Sequence, residues 1–330
     1  MTTPGVEPAL AEMMDAVFAE HGRDAELWRR LDELGLIRLT GAEDSGGSGA
    51  GWIEAAELLS AAVRHGVRIP LAEHDLLACW LLEAAGVGCD TATRTVCVFD
   101  ERGLASDVPW ASRTERIVAV WPRDGGHAVA DIAADHVTIT PGANMIGEPR
   151  DGVAADLTTL DGVLVGDELL AQLRLRSALV RSIQVCAALD RALELSIEHT
   201  TSRQQFGRPL AKFQAVQHQI ADIAAEAALA RSATESALSV AAASHWSSPS
   251  LEFLVAVARS CAGHATTVVV RNAHQVHGAI GTTREHRLHE FTRAALAWRS
   301  EYGSVRHWDR MLTDMAVQSG TGGLWSLICP

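Results

Sequence analysis

Two short stretches carry residue types that can hold a phosphate and the face of a ring. The first is Arg203-Gln-Gln-Phe-Gly-Arg-Pro-Leu-Ala-Lys-Phe-Gln214 and the second is Gln275-Val-His-Gly-Ala-Ile-Gly-Thr-Thr-Arg-Glu-His286. Arg203 offers a planar, permanently charged donor fork suited to a pyrophosphate. Phe206 offers an apolar face to a ring system, and Gly207 lets the backbone turn tightly. Between Gln275 and Gly281, main-chain N–H groups can come close to a phosphate because glycine has no Cβ. Taken singly, each feature is ordinary: an Arg at a helix end is commonly a solvated cap, and Gly278 and Gly281 are common turn residues. Their joint occurrence in one chain is what carries information.

Other candidates are weaker. His274/His277 and His286/His289 are each spaced by three, which can place two imidazoles on one helix face. No carboxylate–His pattern of a metal motif accompanies them, so no metal is expected. The run Gly46-Gly-Ser-Gly49 lacks both a following Lys and a preceding strand, so it reads as a structural loop and not a phosphate loop.

The elements that must position these residues follow from length and pattern. The chain has 330 residues and 48% hydrophobic residues, enough for about two or three domains at roughly 100–200 residues each. A formal net charge of −13 argues against a nucleic-acid binder, which needs a basic surface. No uninterrupted apolar run reaches the roughly 18 residues needed to span a bilayer. No basic segment followed by an apolar one marks the start as a secretory signal. Six scattered cysteines without a C-x-x-C pair read as reduced core thiols, so a cytoplasmic location is expected.

Residues 1–92 are rich in Ala, Leu and Glu and predict helices, with Gly35 as a stop and a flexible loop over 43–51. Residues 93–166 hold short β-branched runs at 95–99, 116–121, 136–140 and 162–165, separated by Gly, Pro and Asp. They predict a small antiparallel β-domain. Residues 167–330 return to helical spacing, with Ala-rich stretches over 213–243 and 251–275 that suit a packed bundle. The segment 319–323 reads as a flexible exit.

Together the two stretches resemble the acyl-CoA dehydrogenase family. Its helical bundle carries an R-x-x-F-G-x-x-L-x-x-F-Q turn, matched here by Arg203, Phe206, Gly207, Leu210, Phe213 and Gln214. A later Q-x-x-G-G-x-G-x-x-x-E-Y/H turn is matched at Gln275, Gly278, Gly281 and Glu285, with Ala279 in place of one Gly. Upstream, Leu31-Asp-Glu-Leu-Gly-Leu36 followed by Gly46-Gly-Ser-Gly49 resembles the family's L-x-E-L-G-L … G-G-x-G. The resemblance implies a mainly α fold with a small β-domain: an N-terminal helical domain, a middle β-barrel and a C-terminal four-helix bundle. It implies FAD as cofactor, held in part by Arg203, Phe206, Gln214, Gln275, Gly278 and Gly281, some of them across a subunit boundary. The implied reaction is α,β-dehydrogenation of an acyl-CoA thioester, with an electron-transfer flavoprotein as acceptor.

That reaction needs a carboxylate to take the α-proton. In most of the family it is a Glu just before a Gly. An ungapped count from Gln275 puts that position on Tyr302, before Gly303, and Glu301 lies one residue earlier. One residue is about 100° on a helix, so the shift matters. A minority of the family uses an earlier helix, where this chain has Ser177. The family's T-E-P-x-x-G-S-D segment is also missing around 96–102. Glu301 is therefore the best available base. The alternatives are a non-catalytic subunit that completes the FAD site of an α2β2 heteromer with a longer acyl-CoA dehydrogenase subunit, or a flavin oxidase or monooxygenase on the same fold. The resemblance implies at least a dimer, either a homo-oligomer or that heteromer.

Overall fold

The computed structural model describes residue 3 and residues 5–328, apart from the side chains of residues 45 and 321. Cys329 lies outside the described residues. Helices α1 (Pro8–His21), α2 (Leu27–Glu33) and α3 (Trp52–His65) come first, then a π-helical segment, Ala72–Cys79, that runs into α4 (Trp80–Ala84). Strands β1 (Arg94–Val98), β2 (Leu104–Pro109), β3 (Arg116–Arg123), β4 (Gly126–Ala133), β5 (Thr138–Thr140), β6 (Arg150–Ala154) and β7 (Val163–Val165) follow. Helix α5 (Asp167–Ser202) leads into a hairpin of β8 (Gln204–Gln205) and β9 (Arg208–Pro209). Then come α6 (Gln214–Ala243), α7 (Leu251–His277), α8 (Leu288–Trp298) and α9 (Val305–Ile328).

The chain clusters into two compact units, Met1–Leu59 with Val67–Ser177 and Ser60–Gly66 with Ala178–Pro330. The first unit thus holds both the helical and the β segments that composition separates at residue 92.

In the first unit β3 explains the arrangement. Its run Ile117-Val-Ala-Val-Trp121 is buried throughout. Ile117, Ala119 and Trp121 face one core, with Cys97, Phe99 and Val153. Val118 and Val120 face a second core, with Leu77, Leu81, Leu82, Leu170 and Leu173. A strand covered on both faces reads as a continuous apolar run. The strands form a four-stranded sheet, β1-β3-β4-β7, and a three-stranded sheet, β2-β6-β5. Strands β1 and β3 pair in parallel, Arg94 opposite Arg116, which corrects the expectation of a purely antiparallel domain. The connection crosses over through β2 in the other sheet, and parallel neighbours require such a crossover.

The loop over 43–51 is not slack. Gly47, Ser48, Gly49 and Ala50 donate their amides to the carbonyls of Ala42, Arg38, Gly41 and Leu39. A Cβ on Gly47 would lie 2.1 Å from the Gly41 oxygen, so only glycine allows this approach.

In the second unit the Ala-rich pattern gives close helix packing. Ala227, Ala230, Ala237 and Ala241 of α6 and Ala258, Ala262, Ala265 and Ala273 of α7 are buried. Gly263 brings α7 against α9, since a Cβ there would meet Val305 at 2.4 Å. The segment 251–282 is long and apolar enough by composition to cross a membrane, with half of that window buried. No uninterrupted apolar run of that length occurs within it, because Glu252, Arg259 and Arg271 interrupt it. Packing against α6 and α9 occupies much of its apolar surface. The expected flexible exit at 319–323 is also corrected: α9 continues to Ile328, with a break at Gly320, φ 66°.

Asp75 lies in the π-helical segment, 5% exposed. Burial pushes its carboxyl up to about 7 from an ordinary 3.8, although the Thr40 amide donates to it at 3.1 Å. A raised acid contributes full stability below its unfolded value and loses that contribution as pH rises through the folded one. Asp75→Asn removes the loss. It is expected to raise Tm over the wild type at pH 8 by the equivalent of a few kcal/mol, at about 1.4 kcal/mol per pKa unit. The difference should shrink toward zero near pH 4, as followed by thermal melts across that range. A pH-independent difference would show that Asp75 does not ionise with burial.

Candidate functional site

The first motif folds as the β8–β9 hairpin, with Phe206 and Gly207 at its tip. Both have left-handed backbones, φ 54° and 78°, as a two-residue hairpin turn requires. Nothing lies within 4 Å of a Cβ built on Gly207, so φ alone calls for glycine there. The tip holds Phe206 92% exposed. Behind it, the Arg208 guanidinium sits 4.2 Å from the Phe213 ring centroid, and Phe213 lies 6.1 Å from Phe206. Gln214 opens α6 and is exposed.

The second motif ends α7. Gly278 takes φ 63° and ψ −143°, a conformation closed to other residues, and a 3-10 turn runs over Gly278–Thr282. Gly281 is glycine for a different reason. Its Cβ would lie 2.8 Å from the His277 Cβ and 3.2 Å from Leu288, so it lets His277 pack down onto the turn.

A cavity of about 700 Å³ lies between the motifs, and Arg203, Gln275 and Gly278 line it together with His199, Gln219 and His277. Phe206, Gln214, Gly281 and Glu301 are not in the lining. No carboxylate lines the cavity, and among the described residues the Arg203 side chain has no acidic partner. A free guanidinium, an open glycine backbone and no competing acid together make a pocket for an anion.

His277 is 5% exposed. Its Nδ1–H donates to the Ala273 carbonyl at 2.7 Å, and its buried Nε2 finds no partner among the described residues. Its ring lies 4.5 Å from that of His199 and 4.6 Å from that of His286, centroid to centroid. Burial drives the His277 imidazole down to about 4, with the neighbouring histidines adding to it, and burial lowers His199 and His286 too. Spacing along one helix pairs His274 with His277 and His286 with His289. The structure instead gathers imidazoles from α5, the end of α7 and the loop before α8, a tertiary grouping that spacing along one helix does not reveal.

Glu301 sits in the turn between α8 and α9. The buried Arg181 donates from Nε to its carboxylate at 2.6 Å. Arg259, also buried, donates from Nη2 to the carbonyl of Glu301 at 2.7 Å and to that of Arg299 at 3.0 Å. Burial lowers the Arg259 guanidinium to about 10, and Arg181 lowers it further. Tyr302 has a left-handed backbone, φ 55°, and the Arg181 guanidinium carbon lies 5.3 Å from its ring centroid. The carboxylate is thus the counter-ion of a buried guanidinium. Ser177, the other sequence position considered for a base, is buried and donates to the Leu173 carbonyl at 2.8 Å.

Residues 169–305 match the model of the acyl-CoA dehydrogenase C-terminal domain. Along most of its length the chain is 27% identical to acyl-CoA dehydrogenase IpdE2 of Mycobacterium tuberculosis, over 297 residues, 86% of this chain and 85% of that protein. The segment 169–305 carries an acyl-CoA dehydrogenase C-terminal domain, and along most of its length the chain is similar to acyl-CoA dehydrogenases. By that similarity it is an acyl-CoA dehydrogenase-like oxidoreductase. Its fold is similar to that in the ChsE4–ChsE5 complex from Mycobacterium tuberculosis, TM-score 0.83 at 23% identity, covering 96% of this chain and 99% of that one. It is also similar to glutaryl-coenzyme A dehydrogenase in its glutaryl-CoA complex, TM-score 0.78 at 17% identity, covering 96% and 97%.

If Glu301 mainly neutralises Arg181, Glu301→Gln takes the carboxylate away from a buried guanidinium. The variant is expected to lose about 3 kcal/mol of stability in urea unfolding. An unchanged midpoint would show that the carboxylate does not hold the turn.

Proposed function

We propose that this chain takes part in FAD-dependent α,β-dehydrogenation of acyl-CoA thioesters as the flavin-binding, base-lacking subunit of a larger assembly. The observation that carries the reading is the pairing of charges. Arg203 is left without an acid at the cavity, while Glu301, the carboxylate nearest the family's base position, is committed to Arg181.

The cavity residues fit an anionic dinucleotide. Arg203 would present its donor fork to the diphosphate, and Gln275 would add a neutral amide. At Gly278 nothing stands within 4 Å of where a Cβ would be, so a phosphate oxygen can come up to the main chain. Gly281 acts one step back, by letting His277 close the turn. Phe206, almost fully exposed at the hairpin tip, would be covered in the assembly, with Gln214 beside it. When bound, the flavin accepts the hydride that leaves the substrate β-carbon. The α-proton then needs a carboxylate free of a guanidinium partner, which a longer acyl-CoA dehydrogenase subunit would supply in an α2β2 arrangement. In the same reading the acceptor is an electron-transfer flavoprotein and the setting is cytoplasmic.

Two experiments test this. FAD titration, followed by flavin fluorescence, should weaken about tenfold or more in Arg203→Ala, since a hydrogen bond to a charged group contributes roughly 1.5–3 kcal/mol. Equal affinity would remove Arg203 from the site. Anaerobic addition of a mixed acyl-CoA pool to the chain purified alone should leave any flavin bands unbleached. Bleaching that disappears in Glu301→Gln would instead make Glu301 the base and this chain self-sufficient.

A further inference from the structure

We propose that His199, His277 and His286 form a binding site for a divalent transition-metal ion of the zinc class, with one coordination position open toward the cavity. Each offers one ring nitrogen, and the three nitrogens lie within 4.8 Å of one another. A tetrahedral zinc site with bonds of about 2.0–2.1 Å holds its nitrogens roughly 3.3 Å apart. Small rotations of His199 and His286, both only partly buried, close that difference.

His277 is the anchor. Its Nδ1–H is spent on the Ala273 carbonyl, which fixes the tautomer and aims the Nε2 lone pair away from the helix. An outer hydrogen bond of this kind is the usual support of a metal-bound imidazole. That Nε2 is buried and unpartnered among the described residues, and a buried polar atom without a partner needs an explanation. A metal ion supplies one.

His199 comes from α5 and His286 from the loop before α8, so the ligand set ties three elements together. His286 carries the one cost, because its Nδ1 accepts the Leu288 amide at 3.1 Å. Coordination through Nε2 moves the ring proton to Nδ1 and gives up that bond. Three protein ligands leave the fourth position to water or an anion, the pattern of an open zinc centre. His199 and His277 line the cavity, so the open position is reached from it.

The test uses the full chain, free of any affinity tag and stripped of metal. Zinc ions are added, excess is removed by desalting, and retained metal is measured by mass spectrometry. One equivalent per chain is expected, and cobalt(II) in its place should give the intense visible bands of a tetrahedral ion. Because His277→Ala can disturb packing under Gly281, the partly buried His199→Ala is made in parallel. Each should lose the retained equivalent and the cobalt bands, whereas His307→Ala should keep both. Failure of the wild type to retain zinc, octahedral cobalt spectra, or retention unchanged in His199→Ala would each overturn the site. None of these readouts depends on flavin or turnover, so they stand apart from the dehydrogenase reading.

Discussion

A single carboxylate beneath two buried guanidiniums fixes the turn on which the C-terminal bundle depends. Arg181 reaches from α5 to the Glu301 side chain, and Arg259 reaches from α7 to the Glu301 and Arg299 carbonyls. Burying either cation alone would cost several kcal/mol. The turn offsets that cost with one full negative charge and the carbonyls that end α8, the end of a helix where cations are favoured. The same turn starts α9, and Trp308 donates back to the Gly303 carbonyl at 3.2 Å. Gly303 admits Trp308 there, because a Cβ would lie 2.7 Å from the indole nitrogen. The turn therefore sets where α9 begins, and α9 closes onto α7 at Gly263.

This constraint bears on the chemistry. A base that takes an α-proton works best when its neutral and charged forms are close in free energy, which burial without a cation achieves. Glu301 instead serves as counter-ion to the buried Arg181. It also lies outside the lining of the cavity that holds Arg203, Gln275 and Gly278.

Much of the bundle is legible in the sequence, because Ala-rich apolar stripes at helical spacing leave few alternatives for α5, α6 and α7. The β region is half legible. Strand β3 stands out as Ile-Val-Ala-Val-Trp because both its faces are buried. Strands β2 and β4 do not, because Ser106, Asp107, His127 and Asp131 interrupt their apolar character. Parallel pairing of β1 with β3 depends on a crossover that no local pattern encodes. At the site, the two motifs are readable as motifs, but the reason for each glycine is not. Gly207 serves a left-handed turn, Gly278 an unusual backbone conformation, and Gly281 the packing of His277. Likewise, three histidines far apart in sequence meet only through the tertiary fold.

The arginines separate fold from function more cleanly than any motif does. Arg94 bonds Asp131 at 2.9 Å, Arg150 bonds Glu148 at 3.0 Å, and Arg181 bonds Glu301, all three guanidiniums buried. Each is neutralised within the chain, as a buried cation must be. Arg203 stands apart: it is exposed at a cavity without acids, in a chain whose net charge is −13. Acids outnumber bases 41 to 28, so a pocket wall free of carboxylates does not follow from composition. Keeping them away from Arg203 preserves its full attraction for an anion, and the turn at Gly278 directs backbone toward the same space.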